Sequence, residues 1–433
     1  MLIGPGTTLR WLTRHGLIRL GLRAAVRRRD PQALFLLDPA RRHDPYPYYA
    51  SMRAKGGLVS GAFALTTAQH DVATAVLRSD AFGVGLQSRP VPAPVAVMRR
   101  LGQFRRPIGP VDPPSMLVVD PPEHTRYRKL VSKVFTPRAI EALRPRIVEV
   151  CDELLDRMAA DTDVDLVAAY AGLVPVTVIA EILGVPAEMR EKFLTWGAAA
   201  APTLDLGLPL RRYAGTEVAI RRGNAWMRGH LRRLRNEPGE DLLSRLVHVG
   251  LTEDELVATA GLLLAAGFET TVNLIGTGAA LLMAHPDQRR SLGDDPQRWQ
   301  NAVEEILRYD SPVQNTGRIC RTETELAGRT IRPDQVVSVL IGGANRDPAV
   351  FDDPDRFDVT RANAREHLAF SGGVHYCLGA ALARMEGQIA LQALFTRYPD
   401  LAPAGEPHRR STRILRGYDR LPVRLTAATT AGR

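Results

Sequence analysis

Residues 256–284, LVATAGLLLAAGFETTVNLIGTGAALLMA, hold a single ionisable side chain, Glu269, and run into His285-Pro286. As a helix these 29 residues span roughly 43 Å at 1.5 Å per residue, enough to cross a whole domain. Thr252 with Glu255 three residues on gives a capping box, and Glu253, Asp254 and Glu255 suit the positive end of the helix dipole. A helix that is apolar all round is either a membrane span or a core helix. Glu269 near the centre, the polar Thr270, Thr271 and Asn273, and the lack of a second comparable stretch argue for the core. A carboxylate there needs either a structural arginine partner or a use for a perturbed acid. Gly267 thins the helix where something bulky could lie close, and Thr270 can return its hydroxyl to the Ala266 carbonyl and open a groove. A carboxyl and a hydroxyl beside a groove suit proton delivery to a bound ligand. Both readings of Glu269 stay open on this segment alone.

The rest of the 433 residues must wrap this rod. At 45% hydrophobic and 24% charged the chain is globular, and three cysteines make no disulfide framework, which points to a reducing, cytoplasmic setting. The net charge of +10 is unevenly placed: residues 1–42 hold nine arginines against Asp30 and Asp38, so seven of the ten charges sit there. The remaining body is near neutral, and nucleic acid is not an expected partner. Arginines interrupt every apolar stretch of the arm, so it is neither a secretory signal nor a span. Arg19, Arg23 and Arg27, with Ile18, Leu22 and Val26, recur at four-residue spacing and predict a short amphipathic helix. Its simplest reading is a helix laid on the body with a solvated basic face. A membrane-surface or partner-docking arm through residues 1–40 is the alternative.

The expected organisation is a basic extension over 1–42, one large domain over 43–425 and a tail over 426–433. The fold class is mainly α, α+β by count, with small antiparallel sheets. Helices are predicted from Asp44-Pro45 to Gly56-Gly57 and over 68–78, and helical periodicity dominates 123–310. Hairpins are predicted over 58–66 and over 326–340, the second around Arg332-Pro333-Asp334-Gln335. Residues 83–114, punctuated by glycine and proline, read as a lid or binding loop.

The strongest chemical signal is Phe370-Ser371-Gly372-Gly373-Val374-His375-Tyr376-Cys377-Leu378-Gly379. Cys377 lies just ahead of a predicted helix, where orphan amides and the dipole favour a thiolate. Its glycines let backbone approach a flat, bulky group. His375, two residues away, is poorly placed to share one tetrahedral metal with Cys377, and no CxxC or HxxxH partner exists, so zinc is disfavoured. A Cys/His hydrolase would take its base from a distant segment. A lone thiolate with a phenylalanine and glycines around it suits one axial bond to a haem iron.

This loop resembles the haem-thiolate signature of the cytochrome P450 family, F-x-x-G-x-H-x-C-x-G, at every fixed position. Three more segments are similar to the family's in the same order: Ala266-Gly267-Phe268-Glu269-Thr270-Thr271, Glu305-Ile306-Leu307-Arg308, and Pro354-Asp355-Arg356-Phe357. The resemblance covers about residues 40–425 and is closest to soluble bacterial members. It implies a cytochrome P450 fold with the long helix over a haem b (iron protoporphyrin IX). Cys377 would be the iron's axial ligand, with Phe370, Gly373 and Gly379 around it and Ala266 and Gly267 across the ring. Glu269 and Thr270 would be the acid–alcohol pair that relays protons. His124, Arg128, Arg318 and His375 would meet the haem propionates, and Glu305, Arg308 and Arg356 would form a structural ion cluster. Leu263, Phe268, Val313, Gln314, Asn315, Thr316 and Ile414 are the pocket candidates, beside the 83–114 loop and residues 194–210.

The implied activity is a monooxygenase that takes O2 and two electrons and puts one oxygen into a hydrophobic small molecule. No flavin or iron–sulfur segment is evident, so electrons would come from ferredoxin and a NAD(P)H-dependent reductase. Arg126, Lys129 and Lys133 are candidates for the docking face. A peroxygenase, an aromatic-coupling enzyme or a non-catalytic haem or ligand binder are the alternatives.

Overall fold

The rod is there, three residues longer than the apolar run. In the computed structural model, which describes residues 3–85, 97, 100–101 and 106–425, one helix covers Glu253–Ala284, about 48 Å long. Both halves of the capping box form: the Glu255 amide donates to Thr252 Oγ1 and the Thr252 amide to the Glu255 carboxylate. The helix threads two hydrophobic clusters. Leu274, Ile275, Ala279 and Leu282 belong to the one shared with Arg144–Met158, Pro296–Tyr309 and Ala380–Arg397. Leu256, Val257, Ala260, Leu264 and Val272 belong to the other, shared with Leu173–Ile182 and Leu210–Asn236. Each such leucine or isoleucine contributes roughly 1.5–3 kcal/mol by leaving water. That burial, and not a bilayer, explains the apolar composition of the rod.

The sheets are small, as expected, and most pairs are antiparallel. The largest has five strands in the order Val59–Ser60, Leu65–Thr67, Val336–Val339, Thr316–Cys320, Phe82–Gly83. One of its pairs, Leu65–Thr67 with Val336–Val339, is parallel. The second predicted hairpin is redrawn. Thr324–Leu326 pairs with Arg329–Ile331, turning at Ala327 and Gly328, both at positive φ. Val336–Val339 instead joins the large sheet beside Thr316–Cys320. Two-residue loops with φ > 0 make the tighter hairpin, and the buried Val337 and Val339 find more apolar cover in the larger sheet.

The basic extension is helical over Pro5–Trp11 and Leu17–Arg27, joined by a π-helical turn at Leu12–Gly16. It lies on the body. Arg10 forms a buried ion pair with Glu217, Arg14 pairs with Asp112, and Trp11 Nε1 donates to the Leu208 carbonyl at 2.8 Å. Residues 426–433 and most of the expected lid segment, 86–96, 98–99 and 102–105, lie outside the described residues.

Candidate active site

The Cys377 loop is built by backbone constraint. Gly373 has φ +63, and a Cβ there would stand 2.5 Å from the Leu77 carbonyl oxygen, so only glycine fits between this loop and the helix His70–Arg78. The Cys377 amide donates to the Phe370 carbonyl at 2.9 Å, closing the loop, and the next helix, Ala380–Arg397, starts three residues on. Cys377 is accessible to solvent. Burial pushes its thiol up, while the Gly379 amide and the charges of Arg128 and Arg384 pull it down. Phe370 is buried under the Arg384 guanidinium, 4.4 Å from its ring centre.

Two arginines and two histidines converge beside the loop. Arg128 donates to the carbonyls of Val374 (3.2 Å) and Tyr376 (2.7 Å), and Arg318 donates to Ser371 Oγ at 3.1 Å. The His124 and His375 rings lie 4.3 Å apart. The nearby carboxylate, Asp120, is engaged by Arg321 and by the amides of Val84 and Gly85. Burial, then the His124 and Arg318 charges, depress His375 to about 4, and burial lowers Arg318 to about 10. His375 Nε2 is buried with no hydrogen-bond partner. Buried donors without an acceptor are costly, and the set suits a ligand bearing carboxylates. A haem, with its propionates on these side chains and its iron on Cys377, fits the residues present.

On the central helix, Ala266 is exposed and Thr270 half-exposed, although most of the helix is buried. Thr270 Oγ1 donates to the Ala266 carbonyl at 3.1 Å, the bond expected from the sequence, and the helix runs through it unbroken. Glu269 is not unpaired. Its carboxylate takes an ion pair with Arg410 Nη1, from 141 residues further along the chain. Burial still raises Glu269 above the usual range; Arg410 pulls it back and Asp419 adds to the rise.

Several expected site residues sit elsewhere. A Cβ on Gly267 would stand 2.7 Å from Ile179 Cγ1, so the space beside it on that side is filled by the neighbouring helix and not left for a cofactor. Phe268 is 1% exposed and packs where Gly197 leaves room, and Leu263 is buried between helices, so neither is a pocket wall. Arg356 is exposed and gives the ion cluster only its carbonyl. The cluster's second arginine is Arg361, whose Nε is 3.2 Å from Glu305. Arg361 is the one whose guanidinium also reaches the carbonyls of Asp352 and Asp353, wrapping the coil around it. Arg308 donates to both Glu305 oxygens (2.7 and 2.8 Å) and to the carbonyls of Asn345, Pro354 and Arg356.

The remaining pocket candidates do meet. Val313 bridges Leu415, and the Gln314 amide donates to the Ile414 carbonyl at 2.8 Å. The Gln314 side chain donates to the Ser311 carbonyl while its Oε1 is buried without a hydrogen-bond partner, and the Thr316 hydroxyl accepts from Arg318. Asn315 Nδ2 reaches the Arg413 carbonyl at 3.5 Å.

The sequence reading missed Glu304, next to Glu305, which binds His367 (2.9 Å) and Arg384 (2.7 Å) and so ties the helix Pro296–Tyr309 to the Cys377 loop. These cations hold Glu304 down to about 2 against burial. It also missed Glu386, fully buried on the helix Ala380–Arg397, with neither oxygen hydrogen-bonded and its carboxyl pushed up to about 8 by burial.

The fold and site together define a haem-binding oxidoreductase scaffold, and the comparisons with known proteins identify its family. The cytochrome P450 family profile matches residues 299–416. A putative cytochrome P450 140 of Mycobacterium tuberculosis is 46% identical over 429 residues, covering 97% of this chain and 98% of the relative. The 6-deoxyerythronolide B hydroxylase of Saccharopolyspora erythraea is 44% identical over 315 residues, 71% of this chain and 76% of its own. Among solved structures, P450BioI in complex with an acyl carrier protein ligated to hexadec-9Z-enoic acid superposes with a TM-score of 0.82 at 33% identity, covering 89% of this chain and 100% of that one. The chain belongs to the cytochrome P450 family, a family of haem monooxygenases.

Proposed function

We propose that this chain is a monooxygenase in which Cys377 ligates haem b and one oxygen atom is inserted into a large, mainly aliphatic molecule of polyketide or fatty-acyl type. The observation that carries the reading is the Cys377 loop: an accessible sulfur near the Gly379 amide, beside Arg128 and Arg318 and the paired rings of His124 and His375, whose Nε2 makes no hydrogen bond. Bound haem would supply the reductive activation of O2. The protein's own part is to hold, orient and protonate. Arg128, Arg318, His124 and His375 would fix the propionates, and Glu304 with Arg384 holds the loop that presents the sulfur.

Thr270 presents its hydroxyl from the accessible stripe of the central helix, and Glu269 is the adjacent acid. Because burial keeps the Glu269 proton affinity high, the carboxyl can take a proton and, on leaving Arg410, hand it toward Thr270. Arg410 restores the carboxylate afterwards. The half-buried Val313 and Ile414 offer an apolar wall, and the names of the hydroxylase and of the acyl-carrier complex support the substrate class.

Electrons would come from a ferredoxin and a NAD(P)H-dependent reductase. Of the predicted docking residues, Lys129 and Lys133 are exposed and suit an acidic partner, whereas the charge of Arg126 is paired with Glu255. Cys151, Cys320 and Cys377 are all unbridged, which supports a cytoplasmic setting. The test is a screen of polyketide lactones and long-chain acyl compounds, free and carrier-bound, for changes in the haem absorption of the holoenzyme. Hits are then turned over with surrogate ferredoxin, reductase and NADPH. A product one oxygen heavier is expected; binding without any oxygenated product would favour a non-catalytic binder.

A further inference from the structure

The arm of residues 1–42 has two sides with different chemistry. Its inner side is committed to the body through Arg10 and Arg14, the ring contact of His15 with Tyr213, and Leu22, which is 0% exposed. Its outer side is unusual. On the helix Leu17–Arg27, the exposed residues are Leu17, Leu20, Arg23, Ala24 and Arg27, which at three- and four-residue spacing form one continuous face. Leu17 and Leu20 are 41% and 58% exposed. Arg23 and Arg27 flank them on one edge of the helix, Arg28 lies on the other, and Arg29 follows, all exposed. The patch continues onto the body. Gly207 lies against Leu22 and the Arg19 backbone and accepts from Arg19 Nη1 at 3.0 Å, which puts the neighbouring Leu206, 46% exposed, at the edge of the arm.

Among the described residues, no carboxylate forms an ion pair with Arg23, Arg27, Arg28 or Arg29. Asp30 and Asp38 serve as caps for the following short helices, and Glu217 and Asp112 face inward on Arg10 and Arg14. A solvated basic face does not need exposed leucines at its centre, and an interface with an acidic protein does not need them to protrude at three-residue spacing from a ring of arginines. Apolar side chains that enter the acyl boundary, ringed by guanidinium groups at headgroup level, match an anionic bilayer.

We propose that the face formed by Leu17, Leu20, Leu206, Arg23, Arg27 and Arg28 docks this enzyme on an anionic lipid surface. The arm's contacts with 201–209 set that segment at the bilayer. Its use as a substrate entrance rests on the function proposed above, but the docking itself does not. The experiment is flotation of the purified holoenzyme with vesicles of phosphatidylglycerol and phosphatidylcholine, against phosphatidylcholine alone. The enzyme is expected to float with the anionic vesicles and to be released by salt. L17S/L20S and R23E/R27E should each weaken partitioning by about tenfold or more while the haem spectrum is retained. Hydrogen exchange on the unmutated protein, needing no variant, should show residues 17–29 protected only with anionic vesicles. The proposal is overturned if the enzyme stays in the soluble fraction, if both variants float as well as the parent, or if the same residues are protected by an acyl carrier protein and not by vesicles. Haem-independent flotation leaves the docking intact when the active-site reading fails.

Discussion

Glu305 and Glu269 are both buried against arginines, and they are held in opposite ways. Glu305 lies 0% exposed, with Arg308 one turn away on its own helix and Arg361 from the coil that follows. All five N–H donors of Arg308 are used, two on Glu305 and three on backbone carbonyls. That cluster ties a helix to residues 345–361 and leaves no slack. Glu269 has a single strong partner, Arg410, reaching in from the C-terminal hairpin in which His408–Arg409 pairs with Tyr418–Arg420, and burial still favours its proton. A saturated ion pair is architecture. A pair with one partner and a raised proton affinity can change state, and it stands beside the half-exposed Thr270.

The largest expected effect falls on the saturated pair. Glu305→Gln or Arg361→Ala strands a buried charge, at a cost of about 3–5 kcal/mol, and should give protein that fails to retain haem; thermal melts and the haem-to-protein absorbance ratio measure it. Next is Glu269→Gln. The fold and haem content should survive, while turnover falls about a hundredfold, near 2.7 kcal/mol in barrier, and oxygen consumption uncoupled from product rises. Arg410→Met should leave Glu269 with a still higher proton affinity and move the acid-dependent limb of the pH–rate profile to higher pH, because the charge that favours the carboxylate is gone.

A third buried carboxyl sharpens the comparison, since Glu386 has no arginine at all. Its pKa near 8 lies above its ordinary value of 4.5, so the folded state holds a proton that the unfolded state has lost between those values. Stability therefore declines as pH rises from about 4.5 to 8, and Glu386→Gln should remove that slope. The gain is expected to be roughly 4 kcal/mol at pH 8 and to vanish near pH 4.5, read from denaturant midpoints at the two pH values. The smallest effect is Arg356→Ala, within about 0.5 kcal/mol of the parent, because its side chain is exposed and its carbonyl remains.

How legible each glutamate was in the sequence follows from where its partner lies. Glu305 with Arg308 is visible at a three-residue helical spacing, and the central helix announces itself by its apolar run and its cap. Arg361 was not distinguishable from Arg356, because both lie in coil, where no period says which side chain turns inward. Arg410 carries no local signal, since its contact with Glu269 is made only when the C-terminal hairpin folds across the rod. Gly267 and Phe268 mislead for a related reason. Their positions in a motif say nothing of which face of the helix meets a neighbour, and Ile179 and Gly197 decide that. The cysteine loop was readable because its chemistry is contiguous: sulfur, glycines and phenylalanine lie within ten residues.

The proposed function rests on Cys377 being the residue whose sulfur would hold a haem iron. The most direct measurement is the absorption spectrum of the reduced, carbon-monoxide-bound protein, compared with that of Cys377→His. The parent should show the red-shifted Soret band given by a thiolate ligand, and the variant should lose it while any retained haem adopts a histidine-type spectrum. A parent without that band, or a variant that keeps it, would contradict the assignment.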